Sequence, residues 1–178
     1  MNNNIRMLRN AGIIKEAAEK VESITNIGEK RVIDKLNELL ARELTVISQY
    51  MVHAEMCANW GYNKLAGQIK MQAIGEMKHA EKLIERIIFF NGVPDIKLNE
   101  VYIGTDVPSM LDNDKNAEAE AVDLYNDSVK ICRDDGDNGT RDMLEFILKD
   151  EEAHLDWLLS LIDQIDQMGL ENFLANQV

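Results

Sequence analysis

Residues 74–94, IGEMKHAEKLIERIIFFNGVP, and residues 141–158, RDMLEFILKDEEAHLDWL, each carry a Glu-x-x-His motif inside a helix-forming segment. In the first the pair is Glu76 and His79, in the second Glu151 and His154. A spacing of three places both side chains of a pair on one face of a helix, so each motif offers a carboxylate and an imidazole to one point. Such a donor set, without thiolates or zinc-finger spacing, suits iron or manganese, and zinc also occupies sites of this kind.

Equal steps upstream extend the pattern. Glu43 lies 33 residues before Glu76, and Glu118 lies 33 before Glu151, so three positions recur with a shift of 75. The chain therefore reads as two helical hairpins in pseudo-repeat. Glu43 and Glu76 sit about 16 residues either side of the turn near residues 59 to 62, at matching heights in an antiparallel pair. The second hairpin is less symmetric, but at about 1.5 Å per residue the mismatch is near one helical turn. Four carboxylates gathered in a bundle repel and lose hydration unless cations intervene. A single Glu-x-x-His is common by chance in acidic helices; the doubled set with equal offsets points to a two-metal centre.

The surrounding segments predict an all-α four-helix bundle. Helix A is expected over about 30–59 and helix B over about 63–91, stopped by Asn91, Gly92 and Pro94. Residues 92–107 are too long for a tight hairpin and suit a crossover spanning the bundle. Helix C follows from Pro108 or Asn116 to Arg133, helix D over 140–167, and a short fifth helix over 170–175. The turn 134–139 has Gly136 where a calcium loop needs an oxygen ligand, so it reads as a helix hairpin. Residues 1–29 form an N-terminal extension with an amphipathic pattern through Leu8, Ala11, Ile14, Ala18 and Val21, and residues 30–178 form the bundle domain.

The net charge of −13 argues against nucleic acid and is equally that of an ordinary soluble acidic protein. No apolar run approaches the roughly 18 residues of a membrane span. The opening MNNNIRMLRN lacks the apolar stretch of a signal peptide, so a cytoplasmic protein is expected. Cys57 and Cys132, with no partner spacing, read as reduced core thiols.

The blocks ELTVISQYMVHAEMCANWG (43–61), 74–94, 141–158 and QMGLENFL (167–174) closely resemble the bacterioferritins, the haem-containing bacterial ferritins, over about residues 30–178. A Glu from each of two helices and Glu-x-x-His from the other two is the general ligand plan of ferritin-like di-iron proteins. The resemblance implies a hollow homo-oligomeric shell of two dozen subunits, oxidation of Fe(II) by O2 or H2O2 at an intrasubunit di-iron site, and ferric mineral stored inside. It implies that Glu43, Glu76 and His79 hold one iron, that Glu118, Glu151 and His154 hold the other, and that Glu76 and Glu151 bridge. It also implies that Met77 ligates haem b or a related iron porphyrin between two subunits, and that an electron donor assists iron release.

Met77 lies about 100° around helix B from Glu76, facing away from the cluster, although a helical Met taken alone is more often packing. Tyr50, two turns from Glu43 on the same face, either bonds a ligand carboxylate, donates an electron, or simply packs. Where some bacterioferritins carry a histidine and an acid on the cavity side of helix B, this chain has Met71 and Gly75, so an inner iron site is not expected. Two other readings share the ligand set: a di-iron oxidase or peroxide scavenger without storage, and a haem electron-transfer protein.

Overall fold

The computed structural model describes the backbone of residues 3–178 and the side chains of residues 29–178. Five helices follow one another: α1 (Asn3–Asn59), α2 (Asn63–Phe89), α3 (Val107–Asp134), α4 (Asn138–Met168) and α5 (Leu170–Ala175). The expected N-terminal extension is not set off as a separate element, and the amphipathic faces expected for it lie outside the described side chains.

Local chemistry sets the helix ends. Asn91, at φ 57°, takes the left-handed conformation that ends α2, and Pro94 follows. Asp106 caps α3 by accepting from the Ser109 amide, while the Ser109 side chain accepts from the Asp106 amide. Asp137 caps α4 through the Thr140 amide and pairs with Arg86 of α2 at 2.9 Å. The 134–139 segment is thus a helix hairpin, as its sequence indicates.

The apolar core falls into two clusters. One, at the α1–α2 turn, contains Cys57, Leu65, Ile69, Met110, Leu111, Leu158 and Phe173 of α5. The other, at the α3–α4 turn, contains Val32, Leu36, Leu83, Ile87, Cys132, Leu144 and Ile147. Since the two turns lie at opposite ends, α1 and α3 run antiparallel, and so do α2 and α4. Both cysteines are free and buried, and burial pushes each thiol up to about 11. Among the described residues, no helix is long and apolar enough to cross a membrane.

Residues 90–106 run extended along α1 rather than folding on themselves. Amides of Asp95, Asn99, Tyr102 and Gly104 donate in turn to Asn37 Oδ1 (2.7 Å), Thr45 Oγ1 (2.8 Å), Gln49 Oε1 (3.1 Å) and His53 Nε2 (3.0 Å). The helical stretch from Asn37 to His53 rises about 24 Å, and the nine steps from Asp95 to Gly104 reach about 30 Å at most when extended, enough to cover that rise. His53 is fixed by its other nitrogen, with Nδ1 2.9 Å from Asp114 Oδ1, and Gln49 Nε2 donates to the same oxygen at 2.8 Å. One face of α1, the crossover and α3 are thereby tied through buried polar contacts.

At Gly104 a Cβ would stand 2.4 Å from the Met110 backbone nitrogen. Gly104→Ala must therefore part the crossover from α3. We expect a loss of about 2 kcal/mol or more, read as a lower denaturant midpoint.

Candidate metal centre

Between the two apolar clusters lies a polar layer. Glu43 (α1), Glu76 (α2), Glu118 (α3) and Glu151 (α4) are fully buried, and His79 is buried with them. Two groups of donor atoms, each within 4.8 Å, form there: Glu43, Glu76, His79 and Glu151, and Glu76, Glu118, Glu151 and His154. All six residues singled out by the doubled motif converge, and Glu76 and Glu151 belong to both groups.

Both imidazoles turn Nδ1 inward. His79 Nδ1 is 2.8 Å from Glu76 Oε2 and 2.9 Å from Glu151 Oε1; His154 Nδ1 is 2.8 Å from Glu76 Oε1. The rings stack with centroids 5.9 Å apart. The His154–Glu76 and His79–Glu151 contacts are close but out of line for hydrogen bonds, which leaves His154 Nδ1, Glu43 Oε2, Glu76 Oε1 and Glu151 Oε1 buried without a well-aligned partner. Buried polar atoms are rarely left so, and donors of this kind converging from four helices are suited to a cation.

The repeat extends beyond the ligand set. Tyr50 of α1 donates to Glu118 of α3, and Tyr125 of α3 donates to Glu43 of α1 at 2.6 Å. Tyr125 stands 75 residues after Tyr50, the same shift that relates the glutamates and histidines. Tyr50 thus bonds the carboxylate across the bundle rather than Glu43 on its own helix.

The outer side of the histidines breaks the symmetry. His79 Nε2 lies 3.2 Å from Asp150 Oδ2. The position related to Asp150 by the shift is Gly75, where a Cβ would stand 3.7 Å from His154 Nε2, an ordinary contact. His79 is thus oriented by an outer carboxylate and His154 is not. Met71 and Met77 are both exposed, at 63% and 55%, and take no part in the cluster. Trp157 packs against the apolar cluster at the α1–α2 turn.

Arg42, Tyr125 and Asp150 also touch the cluster, though the doubled motif does not mark them. Tyr125 was findable by applying the shift to Tyr50. Asp150 and Arg42 carry no motif, because each acts on a residue from another helix. The Arg42 guanidinium lies 3.0 Å from Glu118, 3.4 Å from Glu43 and 3.5 Å from Glu151, and it donates to the Ala117 carbonyl at 2.8 Å.

Burial and then the neighbouring Glu151 and Glu76 hold the Glu43 carboxyl well above its usual range. Burial does the same at Glu118 against the opposing pull of Arg42. At Glu76 burial is outweighed by contacts with His154 and His79, so this carboxyl is driven low. Burial would depress His79, but contacts with Glu151 and Glu76 lift it to about 11. A folded-state pKa raised above the ordinary value of about 6.5 contributes stability that is complete below that value and is lost as pH rises toward the folded one. Chelator-treated protein should therefore melt at falling temperatures between about pH 7 and about pH 10, with the slope flattened in His79→Gln.

The sequence pattern of the ferritin-like domain family matches residues 33–168. A bacterioferritin of Brucella melitensis is 37% identical over 147 residues, covering 82% of this chain and 91% of that protein. A bacterial ferritin of Neisseria meningitidis serogroup B is 37% identical over 152 residues, covering 85% of this chain and 99% of the relative. A bacterioferritin of Rhodobacter capsulatus is 37% identical over 147 residues, 82% of this chain and 91% of its own. With its helices, its doubled ligand motif and these relatives in agreement, the chain belongs to the ferritin-like domain family and, within it, to the bacterioferritins.

Proposed function

We propose that the protein takes up ferrous iron, oxidises it at the intrasubunit carboxylate–histidine cluster and stores the ferric product within a homo-oligomeric shell. The observation that carries this reading is the convergence of buried carboxylate and imidazole donors from four helices, several of them in close contact without a well-aligned hydrogen bond. Glu43 and His79 hold one ferrous ion and Glu118 and His154 the other, with Glu76 and Glu151 shared between them. Iron here is substrate as well as occupant, and each ferrous ion gives up one electron to oxygen or peroxide.

The chain's own groups prepare that exchange. Four carboxylates neutralise two divalent ions without leaving net charge in the core. Tyr50 and Tyr125 donate to Glu118 and Glu43 and hold those carboxylates in orientation. His79 carries a proton at neutral pH by virtue of its raised pKa, so metal entry at Nδ1 releases the Nδ1 proton to solvent while Nε2–H stays on Asp150. Divalent-ion affinity consequently rises with pH.

Met77 is exposed on the side of α2 away from the cluster, so its thioether would be free to hold a haem, which would supply an electron-transfer group. The readings without storage, a di-iron oxidase or a haem electron-transfer protein, part from this one after the first turnover.

Ferrous iron added stepwise in air should be oxidised rapidly to about two ions per subunit and then continue to load in soluble form; arrest at about two with later precipitation would favour an oxidase without storage. Asp150→Ala, which frees His79 from its outer carboxylate, is expected to weaken Co(II) binding about tenfold or more, and Gly75→Asp to strengthen it by giving His154 such a partner. Chelator competition measures both. Met77→Leu should abolish the Soret shift on haem titration while leaving iron uptake unchanged.

A further inference from the structure

Arg42 is the one member of the buried layer without a counterpart in the repeat. The shift of 75 that relates Glu43 to Glu118, Tyr50 to Tyr125 and His79 to His154 brings Arg42 onto Ala117, whose carbonyl accepts from Arg42 itself. The guanidinium meets Glu43, Glu118 and Glu151, three of the four carboxylates of the cluster, and its Nε is buried without a partner. It therefore holds Glu43 Oε1, Glu118 Oε2 and Glu151 Oε2, while Glu43 Oε2 and Glu151 Oε1 remain the partnerless atoms, so it competes with a pair of divalent ions through its charge on shared carboxylates and not by occupying the same oxygens.

Charge decides whether all can remain. Four carboxylates balance two divalent ions; a guanidinium kept on those oxygens leaves a positive charge in excess inside a dry core. The side chain also has somewhere to go. Arg42 borders a pocket of about 290 Å³ beneath the crossover, walled by Glu100, Glu120, Asn99, Asn113 and Asn116. Two carboxylates there offer a solvated ion pair in exchange for the buried ones. Arginine remains charged whatever the pH, so it yields to the ions by moving and not by losing a proton.

We propose that Arg42 is a displaceable gate, a built-in counter-cation that holds Glu43, Glu118 and Glu151 together and must swing out toward Glu100 and Glu120 before the centre takes its full complement of divalent ions. The proposal rests on the metal-centre reading and adds its regulation. Metal affinity is set below what the carboxylates alone would give, and the second ion meets the larger barrier because it completes the charge that expels the guanidinium.

The test uses the assembled, chelator-treated protein and Co(II), which air does not readily oxidise, followed by its absorption and by calorimetry. Arg42→Gln should bind Co(II) about tenfold more tightly than wild type and, freed of metal, should melt at a lower temperature because the carboxylates lose their counter-charge. Arg42→Lys, a cation without the fork, should fall between them. In wild-type protein, a dicarbonyl reagent should modify Arg42 several-fold faster after Co(II) loading, as read by peptide mass; this measurement stands even if the variants do not fold. Unchanged or weaker Co(II) binding in Arg42→Gln, or equal protection of Arg42 with and without Co(II), overturns the gate while leaving the centre intact. A wild-type protein that binds no Co(II) overturns both.

Discussion

The constraint on which the structure turns is the mutual repulsion of four carboxylates in a dry layer. Each of Glu43, Glu76, Glu118 and Glu151 is cut off from water, and two apolar clusters close the layer from either end. Burying such groups without opposite charge is prohibitive, so everything adjacent supplies either protons or positive charge. Tyr50 and Tyr125 donate hydroxyls, His79 keeps a proton, and Arg42 places a permanent charge among three of the glutamates. The bundle closes around a centre whose four carboxylates, without those partners, would oppose folding. That is the expected state of a binding site selected for its affinity for cations and not for the stability of the chain.

The pseudo-repeat explains how one short chain assembles two nearly equivalent half-sites, and its breaks explain why they are not identical. A carboxylate behind His79 and a glycine behind His154 give the two imidazoles different rigidity. Arg42 against Ala117 gives the two sides of the layer different charge. Both breaks lie outside the six converging residues and leave the donor set itself symmetric.

Much of this was legible in the sequence, for reasons specific to each element. Helices α2 to α5 fell close to their expected ranges because their ends are marked by local chemistry: Asn91 and Pro94, Asp106 with Pro108, Asp137, Gly169. The six converging residues were readable because helical period and repeat shift are both sequence quantities. What escaped were pairings between helices. Asp114 lies 61 residues from the His53 it holds, and nothing near His53 announces a partner. Arg42 carries no spacing that marks it; only the packing of α3 against α1, with Glu151 of α4 reaching across the layer, gives its guanidinium inward partners.

Helix α1 shows why such residues resist a simple hydrophobic pattern. It has buried partners on more than one side, so its polar residues are divided by destination rather than exposed on a single face. Glu43 and Tyr50, seven apart, point to the metal layer. Thr45, Gln49 and His53, spaced by four, receive the amides of the crossover. Arg42 lies where these two stripes meet, bordering the carboxylate layer on one side and the pocket under the crossover on the other. The hydrogen bonds that lay the crossover along α1 also bring Glu100 to that pocket. Fastening the long connection and walling the pocket beside the carboxylate layer are thus the work of the same side chains, since Thr45 and Gln49 serve in both.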